Sequence, residues 1–240
     1  MSKNTIKIAN CSGFYGDRLS AAKEMVDGGP IDVLTGDYLA ELTMAILYGQ
    51  KIQRGEKAGY VGTFLKQLKQ IASSCSEKNI KVVSNAGGLN PKSMAEEVKN
   101  ILDSEGLNLK VAYIDGDDFM DTFDELKKNG EELKNLDTGA SLFKQNLPRV
   151  SANYYLGCWG IKKALDEGAD IVICPRVTDA ALVMGPAAWK FNWSRDDYDK
   201  LAGSLAAGHI IECGAQATGG NYSFFKEVPS FQNVGFPIAE

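Results

Sequence analysis

The chain lacks the features that mark several large classes of protein. It has one histidine in 240 residues, which excludes a metal site built from several histidines. It has no apolar run of about 18 residues, the length that a membrane-spanning helix needs. Its first residues also lack the charged, apolar and small-residue order of a secretion signal. These absences predict a cytoplasmic chain without a membrane partner.

A basic stripe is absent as well. The 26 Lys and Arg residues are interspersed among 31 Asp and Glu residues, and the formal net charge is −5. Nucleic acids bind through phosphate contacts with clustered cations, so we expect no nucleic-acid partner. A small neutral or anionic metabolite remains an allowed ligand, because one arginine or one helix end is enough to hold it.

The cysteines do not form a framework. There are five of them, an odd number, and none shares a C-x-x-C spacing, which argues against paired disulfides and against a zinc ribbon. Free thiols in a reducing compartment fit this pattern better. We therefore predict no cofactor, although carboxylates could still hold Mg²⁺ or Mn²⁺.

What the sequence does contain is a regular alternation of apolar runs and helical patterns. This alternation predicts an α/β fold, with a mostly parallel sheet flanked by helices on both faces. An incomplete or distorted β/α barrel is the alternative, because only six strands are visible and a complete barrel has eight. The predicted strands are residues 6–11, 31–35, 80–84, 109–114, 171–174 and 209–212.

The domain organisation is simple. With 44% apolar residues, the chain can bury one core, and no repeat or linker divides it, so residues 1–240 are predicted to form a single α/β domain. Residues 131–150 have the weakest periodicity. They are interpreted as a lid or an excursion over the sheet edge, with an ordinary surface connection as the alternative.

A parallel α/β sheet binds its ligands beyond the carboxyl ends of its strands. Two late segments, 169–187 and 208–222, pass there from β-branched residues to small and polar ones, so function is expected at this edge. Four carboxylates near predicted strand ends are the catalytic candidates: Asp37, Glu41, Asp179 and Glu212. The substrate-binding candidates are Ser12, Gly13, Asn85, Gly87, Gly88, Arg176, Gln216 and Gly219.

Asp37 and Glu41 are the first pair to consider. A helix predicted from residue 38 to residue 47 would place these two carboxylates, four residues apart, on one face near the sheet edge. A helix amino terminus, a cation or a shared proton could offset their repulsion, which suits acid–base chemistry or a metal. Simple capping of the helix by Asp37 is the alternative.

The glycine-rich segments and Arg176 suggest an anion site. Residues 85–91, NAGGLNP, lead into a helix whose first amides could hold a phosphate or a carboxylate, although a tight turn with a cap explains the same residues. Residues 214–220, GAQATGG, share this ambiguity. The planar guanidinium of Arg176 would suit a substrate anion, unless it pairs internally with Asp179.

His209 does not support a Ser-His-Asp triad. It opens the sixth predicted strand, whereas Glu212 and Cys213 close it, so we expect His209 on the opposite sheet edge from the other candidates. A dinucleotide site is also weakly supported. Gly13 and Gly16 flank bulky Phe14 and Tyr15, where a G-x-G-x-x-G loop would bring its backbone close to pyrophosphate.

Several long segments resemble one known family. They are CSGFYGD (11–17), GDYLAELTMAIL (36–47), SANYYLGCWGIKKALDEGAD (151–170), ADIVICPRVTDAALVMGPA (169–187) and GHIIECGAQATGGNY (208–222). Together they resemble the acyclic terpene utilisation family, AtuA, from residue 6 to residue 240. The resemblance implies breakdown of branched terpenoid acids through acyl-CoA intermediates, and an amino-terminal portion of a longer architecture. It carries over no catalytic residue.

The resemblance and the candidate residues together give a functional hypothesis. We expect a catabolic enzyme that acts on a branched acid or acyl-CoA through a lyase or hydrolase step. A carboxylate would be the base, Arg176 would hold an anion, and a glycine-rich loop would hold an oxyanion or phosphate. The alternative is a noncatalytic metabolite-binding or assembly subunit, and a dinucleotide-binding protein is less favoured. A homo-oligomer, or assembly with a carboxyl-terminal portion, is expected.

Overall fold

The computed structural model describes residues 5–145 and 148–240. A six-stranded sheet runs through it in the order β4-β5-β3-β2-β1-β6. Strands β1 to β5 are parallel, and β6 pairs antiparallel with β1. The strands are β1 (Ile8–Asn10), β2 (Val33–Gly36), β3 (Lys81–Ser84), β4 (Val111–Tyr113), β5 (Ile171–Ile173) and β6 (Ile238–Ala239).

Helices connect the parallel strands, as the alternation of patterns predicts. They are α1 (Ala21–Gly28), α2 (Glu41–Arg54), α3 (Gly62–Lys78), α4 (Pro91–Ser104), α5 (Phe123–Lys128), α6 (Trp159–Asp166), α7 (Ala181–Lys190) and α8 (Tyr198–Ile211). The predicted cap of α4 is present, since the Asn90 side chain accepts a hydrogen bond of 3.2 Å from the Ser93 amide. In the described residues, no helix combines the length and apolar character that crossing a membrane requires.

Two apolar cores lie on opposite faces of the sheet. Alternate side chains of one strand point to opposite faces, so Leu34 belongs to the core with α1, α3 and α4, while Val33 belongs to the core with α6 and α7. The predicted α/β fold with helices on both faces is therefore confirmed. The edge strands β4 and β6 do not pair with each other, so the described strands do not close into a barrel.

The strand order creates a crevice between β3 and β5. The chain moves from β1 through β2 and β3 to β4, and then reverses to place β5 between β3 and β4. As a result α4, after β3, covers one face, whereas α7, after β5, covers the other. Neighbouring parallel strands whose connections leave to opposite faces open a crevice at their carboxyl ends. The candidate residues gather at this point.

The predicted sixth strand, residues 209–212, is wrong. These residues form the end of α8 and the turn that follows it, because the helix continues through Gly208 to Ile211. Gly208 is needed for close packing, since a Cβ atom there would lie 2.9 Å from Ala180 backbone atoms of the neighbouring chain segment. The strand that does occupy the sixth position, β6, has only two residues and was not predicted.

The helix predicted to begin at residue 38 begins later. Helix α2 starts at Glu41, and residues 37–40 form an irregular connection from β2. Asp37 and Glu41 therefore do not share a helical face, and the predicted pair is not formed. The reason is a contact with a residue distant in sequence: the Tyr38 amide donates to the Asn85 side chain instead of entering a helix.

The segment 131–150 is largely irregular and exposed in its described part. Lys134 and Ser141 form an isolated bridge, and Phe143 packs edge-on against Phe123 with ring centroids 5.1 Å apart. Residues 146 and 147 lie outside the described residues. The lid interpretation stays a prediction.

Candidate functional site

Three carboxylates from distant parts of the chain meet beyond the carboxyl ends of the strands. Asp37, Asp179 and Glu212 each offer an oxygen atom, and these atoms all lie within 4.8 Å of one another. Asp37 follows β2, Asp179 precedes α7, and Glu212 follows α8. We call these three residues the carboxylate cluster. It lies beside the crevice that the reversed strand order creates.

Asp37 is the buried member of the cluster, with 5% of its surface exposed. Its Oδ1 accepts hydrogen bonds from Asn85 Nδ2 at 2.6 Å and from the Leu39 amide at 3.2 Å. Its own amide donates to the Ser12 carbonyl at 3.0 Å. Burial, followed by the nearby Asp179 charge, raises the pKa of the Asp37 carboxyl to about 7.

Glu212 is held in place through its backbone. The buried Asn10 side chain donates 2.7 Å hydrogen bonds to the carbonyls of both Ile211 and Glu212. Burial, followed by the charges of Asp179 and Asp37, raises the pKa of the Glu212 carboxyl to about 8. Burial and neighbouring negative charge therefore raise the pKa values of two carboxyls in one site toward the range that acid–base catalysis uses.

His209 lies next to Glu212, so the prediction that it occupies the opposite edge is wrong. Its Nδ1 is 3.2 Å from Glu212 Oε1, and 79% of its side chain is exposed. The prediction failed because His209 belongs to the last turn of a helix, where positions three apart face the same side. In a strand, the same spacing would have separated the two side chains.

Arg176 joins the cluster from the end of β5. Its guanidinium is buried, and Nη1 lies 2.8 Å from Asp179 Oδ1 and 3.2 Å from the Leu39 carbonyl. The guanidinium carbon lies 4.2 Å from the centroid of the Tyr155 ring. Nε has no hydrogen-bond partner among the described residues. The contact of Arg176 with Asp179 is thus the internal ion pair that the sequence left open.

Tyr155 links Arg176 to Glu41. Its hydroxyl donates a hydrogen bond to Glu41 Oε1, and this bond lowers the pKa of Glu41. Glu41 is exposed at the start of α2, unlike Asp37. The structure therefore places Glu41 at the rim of the site, outside the carboxylate cluster.

The residues of the 85–91 loop divide into two roles. Asn85 bonds to Asp37, whereas the amides of Gly87, Gly88, Leu89 and Asn90 all donate to protein carbonyls. A Cβ atom on Gly87 would lie 2.6 Å from the Cys174 carbonyl oxygen, and one on Gly88 would lie 2.3 Å from Leu47. These glycines allow close packing of the loop, and their amides already have internal partners.

The remaining substrate-binding candidates lie further from the cluster or pack against it. Ser12 is buried and its carbonyl accepts from Asp37, while Gly13 packs so closely that a Cβ atom would lie 2.3 Å from Cys213 backbone atoms. Gln216 and Gly219 belong to an exposed turn after Glu212. No described hydrogen bond joins either of them to the carboxylate cluster.

Comparison with protein families gives one match. The model of the acyclic terpene utilisation family protein AtuA matches residues 6–240. The chain belongs to the AtuA family. Comparisons with curated proteins and with solved structures found no match. The family match covers all the segments that meet at the carboxylate cluster.

Sequence reasoning missed two residues that shape this AtuA site. Asn10 fixes the end of α8, and Tyr155 covers the Arg176 guanidinium. A signal for Asn10 was available, since a polar side chain inside a buried apolar strand needs hydrogen-bond partners. Nothing in the sequence alone indicates that the loop containing Tyr155 reaches α2.

The arrangement allows two kinds of occupant between the carboxylates. Three oxygens from Asp37, Asp179 and Glu212 could ligate a divalent cation, because Mg²⁺ and Mn²⁺ prefer oxygen ligands. They could also share protons, because carboxylates this close cannot all ionise without cost. Arg176 already supplies one positive charge to Asp179. That charge reduces the need for a cation and favours proton sharing.

Proposed function

We propose that this chain is a catabolic enzyme of branched, acyclic terpenoid acids or their CoA thioesters, and that the carboxylate cluster performs its proton transfers. The observation that carries the proposal is the meeting of Asp37, Asp179 and Glu212, whose carboxylate oxygens lie within 4.8 Å of one another beyond the carboxyl ends of the strands. The AtuA family match supports the substrate class. Carboxylates with raised pKa values support an acid–base mechanism.

The cluster can supply an acid and a base at the same pH. With the pKa of Asp37 raised to about 7 and that of Glu212 to about 8, one carboxyl is protonated while another is ionised near neutrality. In a lyase step, the ionised group would take a hydroxyl proton as a carbon–carbon bond breaks. The protonated group would then deliver a proton to the enolate carbon. In a hydrolase step, the base would activate water and the acid would protonate the leaving thiolate.

His209 gives this cluster a route to bulk solvent. Its exposed imidazole lies beside Glu212, whereas Asp37 is buried beneath it. Histidine exchanges protons readily near neutral pH. We propose that His209 restores the protonation state of Glu212 between turnovers. Arg176 would then set the charge of Asp179 through their ion pair, in place of the substrate-anion role.

We place this enzyme in the cytoplasm. Its cysteines are all free, at positions 11, 75, 158, 174 and 213, as expected for a reducing compartment. A dinucleotide role is less well supported. The loop after β1 carries Phe14 and Tyr15 between Gly13 and Gly16, where a G-x-G-x-x-G loop would bring its backbone close to pyrophosphate.

Turnover of a panel of branched acids and acyl-CoA thioesters tests the proposal. Asp37→Asn keeps the shape of the side chain but removes the titrating group, so kcat should fall by roughly 10²- to 10⁴-fold. Glu212→Gln should behave similarly. Asp115→Asn is the control, because Asp115 is exposed at the same sheet edge. Full activity of Asp37→Asn would contradict the assignment of the cluster.

A divalent cation is a second occupant to test. Titrating Mn²⁺ into the protein, with melting temperature as the readout, asks whether the three carboxylates bind it. If proton sharing is correct, Mn²⁺ should shift the melting of wild type and of Asp179→Asn equally. A shift seen only in wild type would show a metal site and would replace the shared-proton mechanism.

One observation favours the noncatalytic alternative. Helix α8 exposes large apolar side chains, with Tyr198, Leu205 and Ile210 exposed by 71%, 51% and 64%. Tyr198 and Leu205, two turns apart, lie on the same side of the helix. An exposed apolar face often belongs to an assembly interface. Light scattering of wild type and Leu205→Glu compares the two functions. An assembly that Leu205→Glu disperses, together with no turnover of the substrate panel by wild type, would support an assembly subunit.

A further inference from the structure

A second site candidate lies at the same sheet edge but has the opposite charge. An open cleft of about 520 Å³ lies between the end of α2 and the start of α3. Its walls carry three cationic side chains from three places: Arg54 in the last turn of α2, Lys57 in the connection, and Lys66 on α3. We call this the basic cleft. No Asp or Glu lines it.

The three cations have no anionic partner in the described part of the chain. None of them forms an ion pair, although Lys51, one turn before Arg54, pairs with Glu56 at 3.0 Å. In a chain with a net charge of −5, three cations around one concavity with no carboxylate among them are an exception to the overall balance. Converging unpaired cations are the usual means of holding phosphate groups.

The first turn of α3 adds further donors to the cleft. Gly62 and Thr63 line it, and no side chain caps the helix. The amides at the start of a helix lack internal partners and carry partial positive charge. A Cβ atom at Gly62 would meet no heavy atom within 4 Å, so the backbone is open on this side. These donors reinforce the three cations.

The basic cleft and the carboxylate cluster share one supporting loop. Asn85, at the start of the 85–91 loop, bonds to Asp37. The following residues of that loop pair with the wall of the cleft: the Val61 amide donates to Ala86 at 2.8 Å, and the Leu89 amide donates to Gly59 at 2.8 Å. The loop therefore connects the wall of the basic cleft to Asp37 through direct hydrogen bonds.

Two aromatic residues also line the cleft. Tyr15 and Tyr60 are both partly exposed, and the Tyr15 hydroxyl accepts a 3.0 Å hydrogen bond from Gln50, which fixes its position. Aromatic ring faces are the surfaces on which purine bases stack. A ligand that carries both phosphates and an adenine therefore fits these walls better than inorganic phosphate.

We infer that the basic cleft binds the phosphate groups of a CoA thioester through Arg54, Lys57 and Lys66. This inference rests on the proposed function and assigns the substrate to the thioester class, in place of the free acid. The acyl group would then extend toward the carboxylate cluster. The pantetheine part, which carries no charge, would contribute no contact with the cations.

Calorimetric titration of the whole chain with CoA tests the inference. The double variant Lys57→Gln/Lys66→Gln should bind CoA at least about tenfold more weakly, because two charge-assisted contacts are lost. Its free energy of unfolding should change little, since both side chains are exposed. The control is Lys69→Gln, an exposed lysine of the same helix that lies outside the cleft, and it should bind CoA like wild type.

Two further ligands identify the source of the phosphate. Pantetheine lacks phosphate, so its affinity should be the same for wild type and the double variant. Inorganic phosphate should bind more weakly than CoA. Undetectable binding of CoA to wild type, equal affinity of the double variant and wild type for CoA, or inorganic phosphate that binds as tightly as CoA would each overturn the inference.

Asp37→Asn separates this inference from the proposed function. It should bind CoA with unchanged affinity, because Asp37 does not line the basic cleft. Weaker CoA binding by the double variant, combined with full turnover by Asp37→Asn, would support CoA binding in the basic cleft and reject catalysis by the carboxylate cluster. Lost turnover in Asp37→Asn, combined with unchanged CoA affinity in the double variant, would support catalysis by the cluster and reject CoA binding in the cleft.

Discussion

The carboxylate cluster and the basic cleft lie at the same edge of one sheet but are built in opposite ways. In the cluster, acidic groups are packed into the protein and held by Asn85, Asn10 and Arg176. In the cleft, cationic groups face solvent and have no ion-pair partner in the described residues. Burial therefore raises the pKa values of carboxyls in the cluster. The cations of the cleft stay in contact with water and can attract an anionic ligand.

This difference predicts where stability and function are coupled. Like charges brought together under burial oppose folding, so the cluster should lower the stability of the fold when it is ionised. Exposed cations lose little solvation, so removing them should leave stability almost unchanged. The predictions that follow compare the two sites on this basis, beginning with the largest effect.

The first prediction concerns pH. The Asp37 carboxyl has a pKa raised from 3.8 to about 7 in the folded protein. The stability this group contributes is complete below its unfolded pKa and is lost as pH rises through about 7. The free energy of unfolding should therefore fall between about pH 4 and about pH 8, on the order of 3 kcal/mol.

Urea unfolding at a series of pH values measures this slope. Asp37→Asn should flatten it and should be more stable than wild type at about pH 8, because the amide cannot ionise. Asp115→Asn should keep the wild-type slope. A wild-type stability that rises over this pH range would contradict the burial of an ionisable Asp37.

The second prediction concerns the anchor of the cluster. Asn10→Ala removes the donor to two buried carbonyls, those of Ile211 and Glu212. Unsatisfied buried groups are costly, so unfolding free energy should fall by roughly 2–3 kcal/mol. Asn100→Ala on the exposed side of α4 is the matched control, with a change within about 0.5 kcal/mol. Equal stability of the two variants in urea unfolding would contradict the claim that Asn10 on β1 holds Glu212 in place.

The third prediction compares two glycines of α8. Gly208→Ala would bring a Cβ atom within 2.9 Å of Ala180 backbone atoms, so it should destabilise the fold by roughly 1–2 kcal/mol. Gly203→Ala meets no heavy atom within 4 Å and should stabilise the helix by roughly 0.5–1 kcal/mol. Thermal unfolding measures both. If residues 209–212 were a strand that begins after Gly208, both substitutions would instead have similar small effects.

Much of the fold could be predicted from the sequence because its signals are local. The residues of each apolar run around β1 to β5 are enough to predict a strand there. In the same way, Asn90 and Pro91 are enough to predict the start of α4. The run at residues 209–212 was misread because Ile210 and Ile211 are β-branched, while the contact that requires Gly208 is with Ala180, far away in sequence. A contact between residues so far apart in sequence leaves no pattern in the residues around either of them.

The candidate site was predictable only in part for the same reason. Asp37, Arg176 and Asp179 follow strands, so the sheet rule places them on one edge. The reversal that puts β5 between β3 and β4 sets which of them meet, and no residue pattern encodes it. Glu212 reaches the cluster from a helix end instead of a strand. The basic cleft was missed because its cations look like ordinary surface residues in the sequence, and only the position of α3 beside the end of α2 shows that they surround one cleft.

The protonation state of Asp37 tests the central claim most directly. Infrared difference spectra of wild type and Asp37→Asn, recorded from about pH 5 to about pH 9, report the carbonyl band of a protonated carboxyl. The account predicts that the Asp37 part of this band, which is the part that Asp37→Asn lacks, disappears from wild type with a midpoint at about pH 7. Glu212 should still contribute a band in both proteins. A fully ionised Asp37 at about pH 5 would contradict the shared-proton cluster.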